Sequence, residues 1–484
     1  MNNQDLTFDI LIVGAGITGS FIARELSKYD LKIALLDAHN DVGDGCSCAN
    51  SAIIHSGYDP VPGTLKAKFN CLGNPMWDKI ADELDIDFYR CGSLTVALND
   101  EDLPILKDLL ERSKINGVEA KLLSSDEVKK MEPNISPNIK GALFAPTAGI
   151  IDPFCATVHA AENAVDNGVC LFLNNKVIDI KKDNDLYLIK TNKNVFHSKI
   201  VINASGVHSD KIASMIEDID WKITPRKGEY FVLDHYEAGL VNHVIFPLPS
   251  KKGKGILVSM TTSGNYIVGP SSENIDDGDD VSTDKLTLDN VRSKALEMIP
   301  SIPFNQVIRV FSGNRPTCTR HDFVVEYAKI DKNFINVGGI ESPGFVSSPA
   351  IAKYVVEELV APIIKLNKKD SYNPRIRKHP VMFKLNNDER IDFVNKNPEY
   401  GQIICNCEKI SLGEINDILS RNVAPTSIKG IKKRCRAGYG KCQGGFCQPK
   451  VLEILARHYN LSPLDILYND ENSNILLKKI KEND

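Results

Sequence analysis

The stretch that most constrains this chain is Asp9 to Asp37. A run of five apolar or strand-forming residues, Asp9-Ile-Leu-Ile-Val13, meets Gly14-Ala-Gly16-Ile-Thr-Gly19, then a helical run through Leu26, then Leu31-Lys-Ile-Ala-Leu-Leu36-Asp37. That order predicts a buried strand, a tight glycine turn, a helix and a second buried strand ending in an acid. The glycines suit a turn, a close backbone approach to a pyrophosphate, and tight helix–strand packing. The helix N-terminus offers free N–H groups and a partial positive charge to the same pyrophosphate. Asp37, 23 residues beyond Gly14, stands where an acid accepts hydrogen bonds from a ribose diol. A lone G-x-G-x-x-G is weak evidence; here its strand, helix and acid all accompany it. The motif implies a dinucleotide without choosing between a flavin and a nicotinamide.

With 484 residues the chain has material for two to four domains. Its net charge of −5 gives no reason to expect nucleic-acid binding. Met1-Asn-Asn-Gln-Asp5 lacks a basic leader and runs into the first strand, and no stretch of 18 apolar residues suggests a membrane span. A cytoplasmic chain is expected, with peripheral membrane attachment left open. Twelve cysteines without an export signal point to thiols or metal ligands rather than disulfides.

Beyond Asp37, a polar loop, Asp41-Val-Gly-Asp-Gly-Cys46-Ser47-Cys48-Ala-Asn50-Ser51, leads to Ala52-Ile-Ile-His55-Ser-Gly57. It starts at the C-terminal end of the second strand, where open α/β sheets bind ligands. Helical spacing predicts a helix from Thr64 to about Leu84 and two helices around Asn116-Gly117; Ser93–Leu98 reads as a strand. Alternating segments between Arg226 and about Arg309 predict an antiparallel sheet. The predicted fold is α/β: a Rossmann-like domain over residues 1–365 with an inserted antiparallel β-sheet substrate domain mainly at 226–310. A polar, proline-punctuated linker follows at 366–400, then a small cysteine domain at 401–455, and a tail at 456–484 with no visible chemistry.

In the small domain, Cys405-Asn-Cys407 precedes Cys442-Gln-Gly-Gly-Phe-Cys447 by 34 intervening residues. Four thiolates can hold a 2Fe–2S cluster or a tetrahedral zinc. The C-x-C spacing is tighter than the usual zinc knuckle, and nearby glycines let backbone N–H groups turn toward cluster sulfurs. The cluster is the favoured reading, with zinc and free buried thiols as alternatives.

Taken together, the opening motif, Asn50-Ser-Ala-Ile-Ile-His55-Ser-Gly57, Asn203-Ala-Ser-Gly206, Gly313-Asn-Arg315-Pro316 and Gly338-Gly-Ile-Glu-Ser-Pro-Gly344 resemble the D-amino-acid-oxidase-like FAD oxidoreductases over about residues 8–362. Within that group the chain looks most similar to the glycerol-3-phosphate dehydrogenases of anaerobes, with L-2-hydroxyglutarate dehydrogenases near relatives. The cysteine segment resembles the bacterioferredoxin-associated-ferredoxin-like 2Fe–2S domain fused to several flavin dehydrogenases.

That resemblance implies roles. Gly14, Gly16 and Gly19 would hold the pyrophosphate of FAD and Asp37 its ribose, where relatives more often have Glu. Ser47, Asn50 and Ser51 would line the flavin. Val177 would lie beside adenine, Ala204 and Gly206 against the cofactor, and Gly339, Gly344, Phe345 and Val346 along the ribityl chain and ring. Relatives often carry Leu-Thr in place of Phe345-Val346. Cys435 stands where relatives have Thr, and is an alternative ligand or a bystander. Cys46 and Cys48 lie on the flavin loop, which leaves a covalent link open.

His55 is the candidate base for the substrate hydroxyl, since an imidazole titrates near the operating pH. Arg315 offers forked donors to a phosphate or carboxylate. Arg226, Lys66 and Arg320 read as surface charge or ion pairs. Ala52 replaces the Lys of the Ser-Thr-Lys motif of aerobic glycerol-3-phosphate enzymes. The expected activity is oxidation of glycerol 3-phosphate to dihydroxyacetone phosphate, with electrons passing through the cluster to an acceptor protein or a partner flavoprotein subunit. The alternatives are a 2-hydroxy acid such as L-2-hydroxyglutarate, an amino or imino acid, or an electron-transfer subunit whose flavin does not turn over.

Overall fold

The computed structural model describes residues 6–235, 239–249 and 255–479. The outermost ends of the expected first and last segments, 1–5 and 480–484, lie outside the described residues.

The opening motif folds as its sequence demands. Thr7–Val13 is a strand, Ile17–Leu26 a helix and Ile33–Leu36 a parallel strand beside the first. Val195–Asn203 flanks the first strand on its other side, also in parallel, and Phe334–Gly338 continues from it. Helices cover this sheet, so its central strands read as unbroken apolar runs. Ile10, Ile12, Ile33 and Leu35 pack on one face with the Ile17–Leu26, Pro153–Asp166 and Gly344–Tyr354 helices. Leu11, Ala34 and Leu36 pack on the other with Tyr187 and Phe196 from the Leu186–Thr191 and Val195–Asn203 strands.

The second sheet is larger than the sequence suggests. Besides the strands between residues 223 and 274, it takes in Ser93–Ala97, Lys121–Ser124 and Gly141–Ala145 from earlier in the chain, and Val307–Cys318 after it. It is not purely antiparallel: Val244–Pro247 runs parallel to Ser93–Ala97. The long Ile223–Leu233 strand pairs along its whole length with Val307–Cys318, which places Arg226 opposite Arg315. At Gly313 this ribbon crosses the flavin loop so closely that a Cβ would lie 2.0 Å from the Ala49 carbonyl.

Two helical expectations differ in detail. The helix expected from Thr64 to Leu84 is interrupted by a 3₁₀ turn at Asn74–Met76, with Pro75 as its second residue. Residues 101–131 form the Leu103–Ile115 and Ser125–Met131 helices, with the Lys121–Ser124 strand between them. The linker at 366–400 carries its own helix, Asn387–Lys396, and is fastened to the first domain by Arg375–Asp82 at 2.6 Å and Lys384–Asp87 at 2.6 Å.

The cysteine domain consists of a two-stranded hairpin, Ile403–Cys405 with Ile410–Ser411, and the helices Leu412–Leu419, Ile428–Cys435 and Gln448–Tyr459. It docks on the flavin loop through buried charges. Arg434 grips Asp41 with both terminal nitrogens, at 2.8 Å each. Lys433 bridges Asp41 at 2.8 Å and Asp44 at 3.0 Å, and Lys429 reaches Asp44 at 3.1 Å. Burial opposes ionisation of Asp41, but Arg434 and Lys433 outweigh it and hold the carboxyl well below its usual range. The pair therefore contributes fully above the unfolded carboxylate pKa of about 4 and is lost as pH falls through the lower folded value.

Asp41→Ala should leave Arg434 and Lys433 buried without their main counter-ion. We expect a loss of about 3–5 kcal/mol in the stability of the docked arrangement. Limited proteolysis should then release the cysteine domain at protease concentrations that leave the unsubstituted protein intact. Unchanged protection would show that the ion pairs do not hold the two parts together.

Candidate active site

A continuous cavity of about 1710 Å³ runs from the end of the second strand to the face of the larger sheet. That exceeds the 300–1,000 Å³ typical of a drug-sized ligand and suits an extended dinucleotide together with a small substrate.

At its adenosine end, Asp37 accepts hydrogen bonds from the Ala15 N–H at 2.7 Å and the His39 N–H at 2.9 Å, one on each oxygen. Each oxygen keeps lone-pair capacity for a ribose diol; burial pushes the carboxyl upward. Val177 lines this end. The C-terminal tail closes it, which its sequence did not disclose: His39 contacts the Asp470 carboxylate, and the Asn40 amide donates to the Asn469 carbonyl.

At the middle, Gly14 adopts φ +103°, and a Cβ there would sit 2.5 Å from the Ala204 carbonyl. The strand tips therefore close up against Ala204, which lines the cavity with Gly206. Gly16 begins the Ile17–Leu26 helix without a side-chain cap. Ser47 turns its hydroxyl to the Ile17 N–H at 2.9 Å, so it couples the flavin loop to the helix start.

Further along, Asn50 lines the cavity, but its side chain is occupied within its own loop. It donates to the Cys46 and Ser47 carbonyls and accepts from the Ala52 N–H at 2.7 Å. This brace holds Ala52 at a positive φ of 54°, uncommon for a residue with a Cβ. Ser51 shares a hydrogen bond of 3.1 Å with the Tyr230 hydroxyl. Tyr230 stacks on Phe311 at 4.6 Å and was not among the residues picked out from sequence; only its inward place on a long strand marks it. Gly344 and Phe345 reach the same cavity, with Phe345 stacked on Trp77.

Three residues of the expected set stand behind the wall. A Cβ on Gly19 would strike the Gly14 carbonyl, so Gly19 serves helix–strand packing. Gly339 abuts Cys318, and Val346 is fully buried with its carbonyl bonded to Trp77 Nε1 at 3.0 Å.

His55 follows the short Ile53–Ile54 strand and lines the cavity, its ring 5.6 Å from that of Phe246. Its carbonyl is anchored by the amides of Asn70 and Asn74. Arg315 spends Nε on the Arg226 carbonyl and one Nη on the Lys227 and Ser271 carbonyls. Among the described residues it has no carboxylate partner. Its neighbours differ: Lys66 pairs with Glu341 at 2.8 Å and Arg226 approaches Glu341 at 3.8 Å, while Arg320 is held by Asp220 and Glu326. Of these four cations, Arg315 alone has no carboxylate partner among the described residues.

Neither loop thiol is activated. Burial pushes Cys46 up to about 11, and Cys48 turns its thiol to the Gly45 carbonyl at 3.2 Å.

In the small domain, Cys405 and Cys447 are buried, Cys407 is exposed and Cys442 half-exposed. Cys407 and Cys442 have sulfurs 3.7 Å apart, and Cys405 pairs with Cys447. Two thiolates on one tetrahedral ion at about 2.3 Å stand about 3.8 Å apart. The four sulfurs thus divide into two pairs, which fits a binuclear cluster. Among the described residues no group of three or more ligand side chains is arranged for a single ion. The hydrogen bond between Cys405 and Cys447 draws the first thiol down and pushes the second up, as expected of two adjacent sulfurs sharing one proton. Cys435 points away, its thiol on the Ile431 carbonyl at 3.5 Å of its own helix, and burial pushes it up to about 12.

Comparison with known proteins agrees with this arrangement. Residues 9–358 match the family described as FAD dependent oxidoreductase. The chain belongs to that family. Residues 403–457 match the BFD-like [2Fe-2S] binding domain, and the cofactors are FAD and a 2Fe–2S cluster. A glycerol 3-phosphate dehydrogenase of Caloramator mitchellensis is 46% identical over 97% of this chain and 98% of its own length. A glycerol 3-phosphate oxidase of Mycoplasma genitalium is 37% identical over 76% of this chain and 98% of its own. The dithionite-reduced, FAD-bound L-alpha-glycerophosphate oxidase of Mycoplasma pneumoniae superposes with a TM-score of 0.73 at 33% identity, over 76% of this chain and 98% of its own. Among the described residues no helix is long and apolar enough to cross a membrane.

Cys405→Ser or Cys407→Ser should remove the cluster's visible absorption and its iron while bound FAD is retained. Cys435→Ser should keep both. Iron loss on Cys435→Ser would make that thiol a ligand.

Proposed function

We propose that this flavoenzyme oxidises sn-glycerol 3-phosphate to dihydroxyacetone phosphate and passes the electrons through its cluster to an acceptor protein or a partner flavoprotein subunit. The observation that carries this is Arg315: a cation without a carboxylate partner among the described residues, on the same cavity as His55, in a chain similar over nearly its whole length to a glycerol 3-phosphate dehydrogenase. When bound, FAD supplies the hydride acceptor. His55 would take the hydroxyl proton as hydride leaves the same carbon, and Arg315 would hold the phosphate so that this carbon is aligned. Tyr230, with its hydroxyl on Ser51, would shape the wall between them.

The dehydrogenase reading is favoured over an oxidase by what the relatives cover. The Mycoplasma genitalium oxidase is spent, at 98% of its length, on 76% of this chain, whereas the Caloramator dehydrogenase matches 97%. The cluster domain is thus an addition to the oxidase-sized body, and an electron outlet gives it a purpose. L-2-Hydroxyglutarate is the second reading. Arg315 would take its carboxylate equally well, and an Indibacter alkaliphilus L-2-hydroxyglutarate dehydrogenase is 32% identical over 55% of the chain.

Anaerobic mixing with glycerol 3-phosphate should bleach the flavin, whereas L-2-hydroxyglutarate and proline should not. His55→Ala should slow bleaching about 10²–10⁴-fold while retaining FAD. In air, peroxide should form much more slowly than substrate turns over with an artificial electron acceptor. Bleaching by the hydroxy acid alone would transfer the site to that substrate, and peroxide matching turnover would overturn the electron outlet.

A further inference from the structure

The Ile428–Cys435 helix carries four cations. Three face the flavin loop and have acid partners there: Lys429 with Asp44, Lys433 with Asp41 and Asp44, and Arg434 with Asp41. Lys432 is as buried as Lys433 and Arg434, at 5% exposure, yet among the described residues it has no acid partner. Its ammonium lies 3.2 Å from Gln443 Oε1 and 4.4 Å from the centre of the Tyr439 ring. Arg309, from the larger sheet, reaches the same Gln443 oxygen at 3.3 Å, also without an acid. The buried Lys432 and the half-buried Arg309 therefore share one neutral acceptor, an arrangement that is costly unless an anion is near.

The anion on that side is the cluster. Gln443 follows Cys442 directly. Gly438, whose backbone N–H acts on the Cys405 sulfur, stands against the Lys432 stem: a Cβ there would be 3.9 Å from Lys432 Cδ. Cys447 is among the groups that draw the Lys432 amine upward, against burial and Arg309, which push it down to about 7. Lys432, Tyr439, Gln443 and Arg309 also line the flavin cavity. Through Gln443, next to Cys442, and Gly438, whose N–H acts on Cys405, this group adjoins the ligand segment.

Two ferric ions, two sulfides and four thiolates sum to −2. One added electron reduces one ferric ion to ferrous and brings the sum to −3. Unpaired positive charge beside the ligands favours the more negative state, and net charge and hydrogen bonding near the sulfurs set cluster potentials. We propose that Lys432, assisted by Arg309, is a positioning residue that raises the cluster's reduction potential and so draws electrons from the flavin side. This rests on the assignment of Cys405, Cys407, Cys442 and Cys447 as ligands. It concerns the electron-accepting step, not substrate identity.

The test is a redox titration of the full-length holoprotein, reduced stepwise with dithionite and mediators and followed by the cluster's electron paramagnetic resonance signal. Lys432→Gln should shift the reduction equilibrium about tenfold toward the oxidised cluster, or about 59 mV for one electron. Lys432→Arg should keep the original value, as should the exposed-lysine control Lys450→Gln. Arg309→Gln lies outside the cluster domain. It should move the potential in the same direction by less, and gives the reading if Lys432→Gln fails to retain iron. A potential that moves in neither Lys432→Gln nor Arg309→Gln, or in Arg309→Gln alone when the former cannot be loaded fails to move, overturns the proposal. If the unsubstituted protein gives no reducible signal, the ligand assignment falls instead.

Discussion

The molecule depends on a buried knot of charge: Asp41 and Asp44 on the flavin loop, Lys433 and Arg434 on the first cluster-domain helix to touch it. Their side chains are at most 3% exposed, so each ion is stripped of water and answered only by its partners. Such a knot is poor insulation against mutation, since losing either sign strands the other. Its value is geometric. The loop proposed to line the flavin and the helix beside the proposed cluster ligands are held by the same four side chains. Arg421 with Glu162 at 2.9 Å adds a second buried fastening to the Pro153–Asp166 helix. Linked in this way, the two redox parts need no diffusional encounter with each other.

The flavin loop is consequently overdetermined from several sides. Ser47 ties it to the start of the first helix, Asn50 folds its side chain back into the loop, and Gly313 brings the long sheet ribbon against Ala49. Ser51 reaches Tyr230 across the cavity. A loop held like this can support a strained residue, and Ala52, three positions before His55, is one. Loop and ribbon together fix the spacing between His55 and Arg315, which lie 260 residues apart in the sequence.

Much of this was legible in the chain because it is local. The glycine turn, its two strands and Asp37 lie within one supersecondary unit, and their spacing follows from strand and helix geometry. The C-x-C and the later Cys442–Cys447 pair are likewise close in sequence and carry ligand chemistry on their face. What was not legible depends on partners brought from afar. Ser93–Ala97 shows its strand character plainly, but not that it would lie parallel to Val244–Pro247 in the larger sheet. Arg226 and Arg315 look alike as residues; only the approach of Glu341 neutralises one and leaves the other to an anion. The tail appeared empty because Asn469 and Asp470 act on His39 and Asn40, more than 400 residues away.

The same distinction between paired and unpaired charge orders the path from substrate to surface. On the wall of the proposed substrate site, Glu341 satisfies Lys66, whereas Arg315 has no carboxylate partner among the described residues. On the cluster side, Asp41 and Asp44 satisfy the docking cations and leave Lys432 for the anionic cluster. Beyond it the four cysteines change character: Cys405 and Cys447 are buried in the core of their own domain, whereas Cys407 is open to solvent and Phe446, between Cys442 and Cys447, is 80% exposed. A cluster bound by these four sulfurs would have Cys407 on its solvent side and, by the proposal above, Lys432 on another. Solvent exposure on one side and fixed positive charge on the other polarise it along the line from cavity to surface. Charge placed for binding at one end and for electron acceptance at the other makes a single direction of flow the simplest consequence of where the acids are.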